Sequence, residues 1–270
     1  MKNRAILFCD NNDKIETLAE FLVRANWEII SAGETARILT AKNIPFREYE
    51  CLDNSDPDGD VFPNLVKNIL KAGRTSYFSD DSEDQITLVC TNLNITNMTA
   101  NQLYNLYFIK KEISIKKTFM LHAAIKNYSS VLILTDPADY SDAMLKIRTD
   151  SISQDFRIFL ASKALNISSA FSAALSDSIF IQNKKFFFPS YFMIPYQYSK
   201  KLKHGVNKQQ IASLYKIDNF PSSLNGLKKI QGSETSFNAM INVNAAWKAK
   251  IKFLLVSPFC VNLHLKIILK

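Results

Sequence analysis

The chain has 270 residues, 47% hydrophobic, 21% charged and 11% aromatic, with a formal net charge of +8. This excludes disordered, collagen-like and low-complexity classes and allows one large or two ordinary cored domains. No window approaches about 18 uninterrupted apolar residues, so no membrane span is expected; the short run Ala5–Cys9 meets Asp10 too soon for a signal peptide, and a cytoplasmic protein is expected.

In chain order, Arg4–Cys9 reads as a buried strand, and Asp13 as the N-cap of a helix carrying Ile15, Leu18, Ala19, Leu22 and Val23 at helical spacing. Trp27–Ile30 is a second strand. Ser31-Ala32-Gly33-Glu34-Thr35 then turns tightly into a helix that runs to about Lys42, and Phe46–Tyr49 is a third strand after Pro45. A polar stretch over 52–84 holds a helix around Asn64–Lys71. Strands follow at Ile86–Thr91 and Val131–Thr135, separated by a helix over Lys116–Asn127. Asp136-Pro137 opens another helix, with the carboxylate as cap and proline in the first turn. Residues 150–180 read as one or two helices, and the aromatic stretch Lys184–Tyr198 as a connection. Short turns between alternating strands and helices predict βαβ units in a parallel sheet, with ligands at the carboxyl ends of its strands. The loops after Cys9, Ser31, Thr91 and Thr135 would share that rim.

Cys9, Cys51, Cys90 and Cys260 are scattered without a CxxC pair, and His122, His204 and His264 have no ligand spacing to them, so no metal site is expected. The basic excess reads as a solvated lysine-rich surface or as attraction to an anionic partner; without basic residues interleaved with aromatics, nucleic acid is not an expected partner. Glycine is scarce, at six residues. Loops that wrap phosphate closely need glycine where a side chain would block backbone N–H groups. This argues mildly against efficient nucleotide chemistry.

Leu121-His122-Ala123-Ala124-Ile125-Lys126-Asn127, then Val131–Thr135 and Asp136-Pro137-Ala138-Asp139-Tyr140, resembles the pattern LRAAAKN…VVDPADY of the bifunctional purine biosynthesis family, which joins an IMP cyclohydrolase to an AICAR formyltransferase. Glu28–Ala36 resembles its EIISTGGTA, Leu88–Leu93 its LVVVNLY strand and Leu202–Gln210 its LRYGENPHQ. Gln231–Asn238 with Ala245-Ala246-Trp247 resembles QGKELSYNN…AAW. The collinear likeness runs from residue 4 to about 247.

The resemblance implies a methylglyoxal-synthase-like, doubly wound α/β domain over residues 1–148 and a helical linker region over 149–198. A truncated start of an AICAR-formyltransferase-like, cytidine-deaminase-like α/β domain would occupy 199–270. It also implies ring closure: the carboxamide nitrogen of formyl-AICAR attacks the formyl carbon and water leaves, giving IMP without a metal or redox cofactor. Family positions place Ser31, Gly33, Thr35 and Asn92 as substrate-binding residues and Lys126 as catalytic, a proton donor or phosphate counter-ion. The implied ligand is a purine nucleotide monophosphate, formyl-AICAR or IMP, and the implied assembly a homodimer. The cofactor 10-formyltetrahydrofolate belongs to the family's second half, and its use here is not expected.

The departures are also specific. The family's first loop SVSDKTG is Phe8-Cys9-Asp10-Asn11-Asn12-Asp13-Lys14, so its serines and lysine become Phe8, Asp10 and Asn12. Asp10 would repel a phosphate by roughly 4 kcal/mol at about 4 Å and an effective dielectric near 20, unless Lys14 or a cation offsets it. The second glycine of the turn is Glu34. Asp58-Gly59 aligns with the family's DG, Asp60–Pro63 then replaces its RVKT, and Lys67 falls near a family lysine. The tyrosine of NLY is Asn94, and IDIGG is Ile113-Ser114-Ile115-Lys116-Lys117. Lys116-Lys117 reads as a solvated face or as a compensating phosphate clamp. His122 reads as a packing or surface residue, Gly205, Asn207 and Gln210 as retained structure, and Phe186–Phe188 as core or dimer contact. Two functions are therefore expected: weak ring closure, or a non-catalytic nucleotide-binding or dimerising remnant.

Overall fold

The computed structural model describes residues 3–49, 61–73, 85–93, 115–181, 190–194, 196–216 and 234–256. They divide into two compact units, Met1–Phe192 and Met193–Lys270.

In the first unit the strands are β1 (Arg4–Leu7), β2 (Glu28–Ser31), β3 (Arg47–Glu48), β4 (Leu88–Cys90) and β5 (Leu132–Leu134). They pair in parallel in the order β3-β2-β1-β4-β5. The intervening helices are α1 (Ile15–Arg24), α2 (Gly33–Ala41), α3 (Val61–Lys71) and α4 (Ile115–Lys126). A 3₁₀ turn, Pro137–Asp139, leads into α5 (Tyr140–Arg148), and α6 (Gln154–Ile181) follows. The fold class is therefore α/β with a parallel five-stranded sheet, as the alternation of elements predicts.

Alternation along the strands sorts the core into two layers. Ile6, Phe8, Ile30, Val89 and Ile133 face Ile69 of α3 and Met120, Leu121 and Ala124 of α4. Ala5, Leu7, Ile29, Leu88, Cys90 and Leu134 face Leu18 and Leu22 of α1, Leu39 of α2 and Ala143 of α5. A sheet covered on both faces needs near-continuous apolar strands, which these are. The short strand β3 is exposed, as suits an edge. Arg4 and Glu28, paired at 2.7 Å, tie β1 to β2.

One helix, α6, takes up residues 154–180 of the stretch 150–180 expected to hold one or two helices. Its residues 154–176 are long and apolar enough to cross a membrane. Here Leu160, Ala161, Ala164 and Phe171 bury themselves in the core of the first unit. At the start of α1, Asp13 is not the cap: Lys14 holds that position in the left-handed region (φ 58°) with no side-chain cap bond. The turn is instead closed by Asn11 Oδ1, which accepts from the Asp13 N–H at 2.9 Å, and by the Asn12 carbonyl, which accepts from Ile15 N–H at 3.1 Å.

The second unit contains β6 (Gln197–Leu202) paired antiparallel with β7 (Ala212–Lys216), and α7 (Phe237–Val256). Tyr198 and Tyr215 meet edge to face at 5.8 Å between centroids. The strand connection is closed by Gly205 N–H on the Gln210 carbonyl (2.8 Å) and by Asn207 N–H on Gln210 Oε1 (3.2 Å). A Cβ on Gly205 would lie 2.8 Å from Gln210 Cβ, so glycine is needed for this close approach. These three residues therefore hold a turn, in agreement with the structural reading of them. The expectations for Asp58–Asp60, Asn94, Ile113–Ser114, Phe186–Phe188 and the tail after Val256 lie outside the described residues.

Candidate functional site

The chain leaves β1 toward β2 and leaves β4 toward β5, although β1 and β4 are neighbours. The loops beyond their carboxyl ends therefore part, and in open α/β sheets this switch point is where ligands bind. The loop after β1, Phe8–Lys14, stands on one side, and Thr91 and Asn92, which follow β4, stand on the other.

Buried polar side chains hold the first loop in place. Asn92 Oδ1 accepts from the N–H groups of Asp10 (2.7 Å) and Asn11 (2.9 Å), and its Nδ2 donates to the Asn11 carbonyl (2.8 Å). Thr35 Oγ1 accepts from Cys9 N–H (3.0 Å) and donates to Asn12 Oδ1 (2.8 Å). Ser31 donates to the Leu7 carbonyl and Thr91 to the Phe8 carbonyl, both at 2.8 Å. Each group is desolvated and matched, as buried polar atoms must be. Ser31, Thr35 and Asn92 thus turn their polar atoms onto the chain itself and shape the rim. Gly33 opens α2 with φ +62°, a conformation that favours glycine, and Ala32 before it provides no side-chain cap. Glu34, the extra acid of this turn, pairs with Arg37 at 3.2 Å on the exposed side.

Lys117 corrects an expectation. Instead of a solvated face it is 6% exposed in the first turn of α4, ion-paired with Asp10 and 4.5 Å above the ring centroid of Phe8. The cause is spacing: Lys117 shares the buried stripe with Met120, Leu121 and Ala124. Asp10 is thus offset by Lys117, and Lys14 is exposed. Three departures from the family pattern, Phe8, Asp10 and Lys117, form one interacting cluster.

Lys126 is exposed at the far end of α4, about 13 Å along the helix from Lys117. The next residue, Asn127, donates to the Ile69 (2.8 Å) and Ala72 (3.0 Å) carbonyls and locks α3 to α4. Lys67 is exposed on α3. His122 contacts Ser168 of α6 at 2.9 Å, a packing role.

Beyond β5, Asp136 caps Ala138 N–H at 2.9 Å, and Lys163 of α6 bridges Asp136 and Asp139, each at 2.7 Å. Partial burial raises the Asp136 carboxyl, but the hydrogen bonds from Lys163 and Ala138 and the charges of Lys163 and Lys14 outweigh it and hold it below its ordinary value. For Lys163, the cost of burial is likewise outweighed by its two acids, which hold it above its ordinary value. Tyr140 follows in the core with its hydroxyl 3.2 Å from Cys90 Sγ, and Cys90 Sγ lies 3.6 Å from Cys9 Sγ, both thiols free. Burial pushes the Cys90 thiol and the Tyr140 phenol upward. Among the described residues no group of three or more His, Cys, Asp or Glu is placed to hold a metal ion.

Sequence reading missed Thr91 and Asn12 as loop braces and misplaced Lys117. A usable signal existed for the last, since residues 117, 120, 121 and 124 fall on one helical stripe.

The AICARFT/IMPCHase bienzyme family matches residues 124–266. The chain is similar to the bifunctional purine biosynthesis protein PurH of Clostridium perfringens (strain SM101 / Type A), 30% identical over 264 residues that cover 94% of this chain and 52% of that protein. PurH of Fusobacterium nucleatum is 28% identical over 269 residues, covering 94% and 51%. PurH of Petrotoga mobilis is 25% identical over 272 residues, covering 94% and 52%. The chain thus spans about half the length of the curated relatives it matches. A solved structure titled "Crystal structure of ForH" superposes with a TM-score of 0.55 at 22% identity, covering 66% of this chain and 100% of that one, a likeness of fold.

Proposed function

This chain belongs to the AICARFT/IMPCHase bienzyme family, and from that premise we propose that its rim binds a purine nucleotide monophosphate and that any turnover is slow closure of formyl-AICAR to IMP. The observation that carries this reading is the braced loop Phe8–Lys14 at the switch point, facing the amino end of α2. A loop fixed by Asn92, Thr35 and Ser31 keeps its shape without reorganisation, and the amino end of α2 beside it suits a phosphate. The Asp10–Lys117 pair supports the same binding, because it removes the net negative charge that would repel the ligand.

Ring closure requires a donor at the formyl oxygen and a group that takes the amide proton. Asn92 and Lys117 are committed to Asp10 and its loop, so each contributes little to a developing charge. Loss of one such donor lowers rate by about 10²–10³. Formyl transfer is not part of the proposal.

A second reading, a nucleotide-binding family member without turnover, is favoured by the Asp10–Lys117 pair itself, since it occupies the cation that packs against Phe8 of the rim loop. One experiment separates the two. Purified protein at high concentration is mixed with formyl-AICAR and IMP absorbance followed, while IMP, AICAR and XMP are titrated in a thermal shift assay. IMP formation above the uncatalysed rate supports the first reading, and a ligand-induced shift without IMP formation supports the second. No shift and no turnover would defeat both. The same family reading carries a cytoplasmic homodimer, which analytical ultracentrifugation tests for the assembly.

A further inference from the structure

A second concavity lies at the opposite edge of the sheet. It encloses about 740 Å³ where β1, β2, β4 and β5 begin, between the carboxyl ends of α1 and α5 and the amino end of α6. That volume falls within the range of small-molecule sites. Phe21 and Trp27 provide aromatic surface and Leu132 an apolar floor, while Arg24, Arg148 and Arg157 bring three guanidinium groups against the single carboxylate of Asp150.

Arg157 is the telling residue. It sits in the first turn of α6, and among the described residues its Nη1 is buried without a hydrogen-bond partner. A buried guanidinium nitrogen with no acceptor is costly, and such groups in folded proteins call for an explanation. Burial also draws its pKa below the ordinary value, consistent with a desolvated cation lacking a counter-ion. Arg24 is partly satisfied by Glu20 at 3.2 Å, so the unmatched positive character centres on Arg157 and Arg148. The carboxyl ends of α1 and α5 oppose an anion weakly, and the amino end of α6 offsets them. A planar fork beside Trp27 and Phe21 matches a ligand that is flat, apolar on its faces and doubly oxygenated at one end.

We propose that this amino-edge cavity is a binding site for a small aromatic anion, its carboxylate or phosphate held by Arg157 and its ring seated against Trp27 and Phe21. The site is separate from the rim and does not rest on the nucleotide reading.

The test titrates the full chain with benzoate and phenyl phosphate, with acetate and inorganic phosphate as anions lacking a ring and benzamide as a ring lacking charge. Calorimetry gives affinity, and quenching of tryptophan fluorescence reports the place. Saturable binding of benzoate or phenyl phosphate at about millimolar affinity or better is expected, with the three controls at least about tenfold weaker. The stronger of the two aromatic ligands identifies the acid group preferred. Trp27→Phe should lose the quench and keep the binding. Arg157→Met should weaken binding about tenfold or more, with folding checked by circular dichroism. Arg157→Lys, which keeps charge and loses the fork, weakens it as well and replaces the first variant if that does not fold. Absence of saturation for both aromatic ligands, or unchanged affinity in a folded Arg157 variant, overturns the proposal.

Discussion

Lys117 reaches from the first turn of α4 to the carboxylate of Asp10 in the loop after β1, across the crevice between two diverging crossovers. Its side chain is 8% exposed and that of Asp10 32%. Breaking a buried pair by removing one partner costs about 3–5 kcal/mol, because a desolvated charge is left behind, whereas replacing both is often close to neutral. With Asp10 a third exposed, Lys117→Met and Asp10→Ser should each destabilise by roughly 2 kcal/mol. The double variant should lie well above the sum of the two, a coupling of at least about 1 kcal/mol in chemical denaturation. Additive effects would show that the contact is energetically idle. Asp10→Ser should also raise the IMP-induced thermal shift, since it removes the acid nearest the proposed phosphate position.

Asn92 offers a second test, now of the scaffold. Its amide satisfies two N–H groups and one carbonyl of the neighbouring loop. Asn92→Ala leaves all three part-buried groups without that partner, and a buried group left unsatisfied costs about 1–3 kcal/mol. A loss of about 3 kcal/mol is expected, the loop taking up some water. Asn92→Asp keeps the two acceptor contacts, loses the donor and adds charge beside Asp10, so it should be intermediate in stability yet bind nucleotide worse than Asn92→Ala. A stability equal to wild type in both variants would show that Asn92 does not brace the loop.

Most of the sheet was legible because its strands are short apolar runs bounded by polar turns, and the helices between them repeat at 3.6 residues. Ile15, Leu18 and Leu22 announced α1, and the DPADY run announced the turn into α5. The antiparallel pair β6–β7 was not legible. Lys200 and Lys201 stand within it, and its strands expose Tyr198 and Tyr215, so no clean alternation marks it. At the site, residue identity was legible and direction was not. Ser31 and Asn92 at strand ends and Thr35 in the first turn of α2 are small polar groups, which serve equally for holding a ligand and for closing a loop. Which of these they do depends on whether a backbone N–H lies within about 3 Å, a tertiary fact. Lys117 was lost for another reason: a lysine pair reads as solvent-facing until the apolar stripe it shares is counted.

Lys163 between Asp136 and Asp139 makes a pH prediction. The Asp136 carboxyl is held below its ordinary value by Lys163. A depressed carboxyl stabilises the fold at pH above its unfolded value, near 3.9, and this contribution fades as pH falls through the lower folded value. Lys163, held above its ordinary value, contributes below about pH 10.4 and loses that contribution as pH rises through the folded value. Lys163→Met should therefore flatten the acid limb below about pH 4 and lower stability at neutral pH by about 1 kcal/mol, the scale of a partly exposed network. Parallel acid limbs in wild type and variant would contradict this coupling.

The buried thiols complete the set. Cys9 and Cys90 lie at the carboxyl ends of β1 and β4 with their sulfurs 3.6 Å apart, and Tyr140 closes over Cys90. Burial raises the Cys90 thiol well above its ordinary value, so almost no thiolate exists at neutral pH. Both should resist Ellman's reagent in the native protein, measured with Cys51→Ser and Cys260→Ser in place so that only these two respond. Their labelling rate should follow the opening of the sheet and rise steeply with urea, because the reagent reaches them only when β1 and β4 separate. Tyr140→Phe removes the hydroxyl beside Cys90 while keeping the ring, and should speed labelling through a loss of stability of about 1 kcal/mol. Rapid labelling of Cys9 and Cys90 in the variant with Cys51→Ser and Cys260→Ser, without denaturant, would mean that the centre of the sheet opens freely, and the braced rim beside it would then lack its foundation.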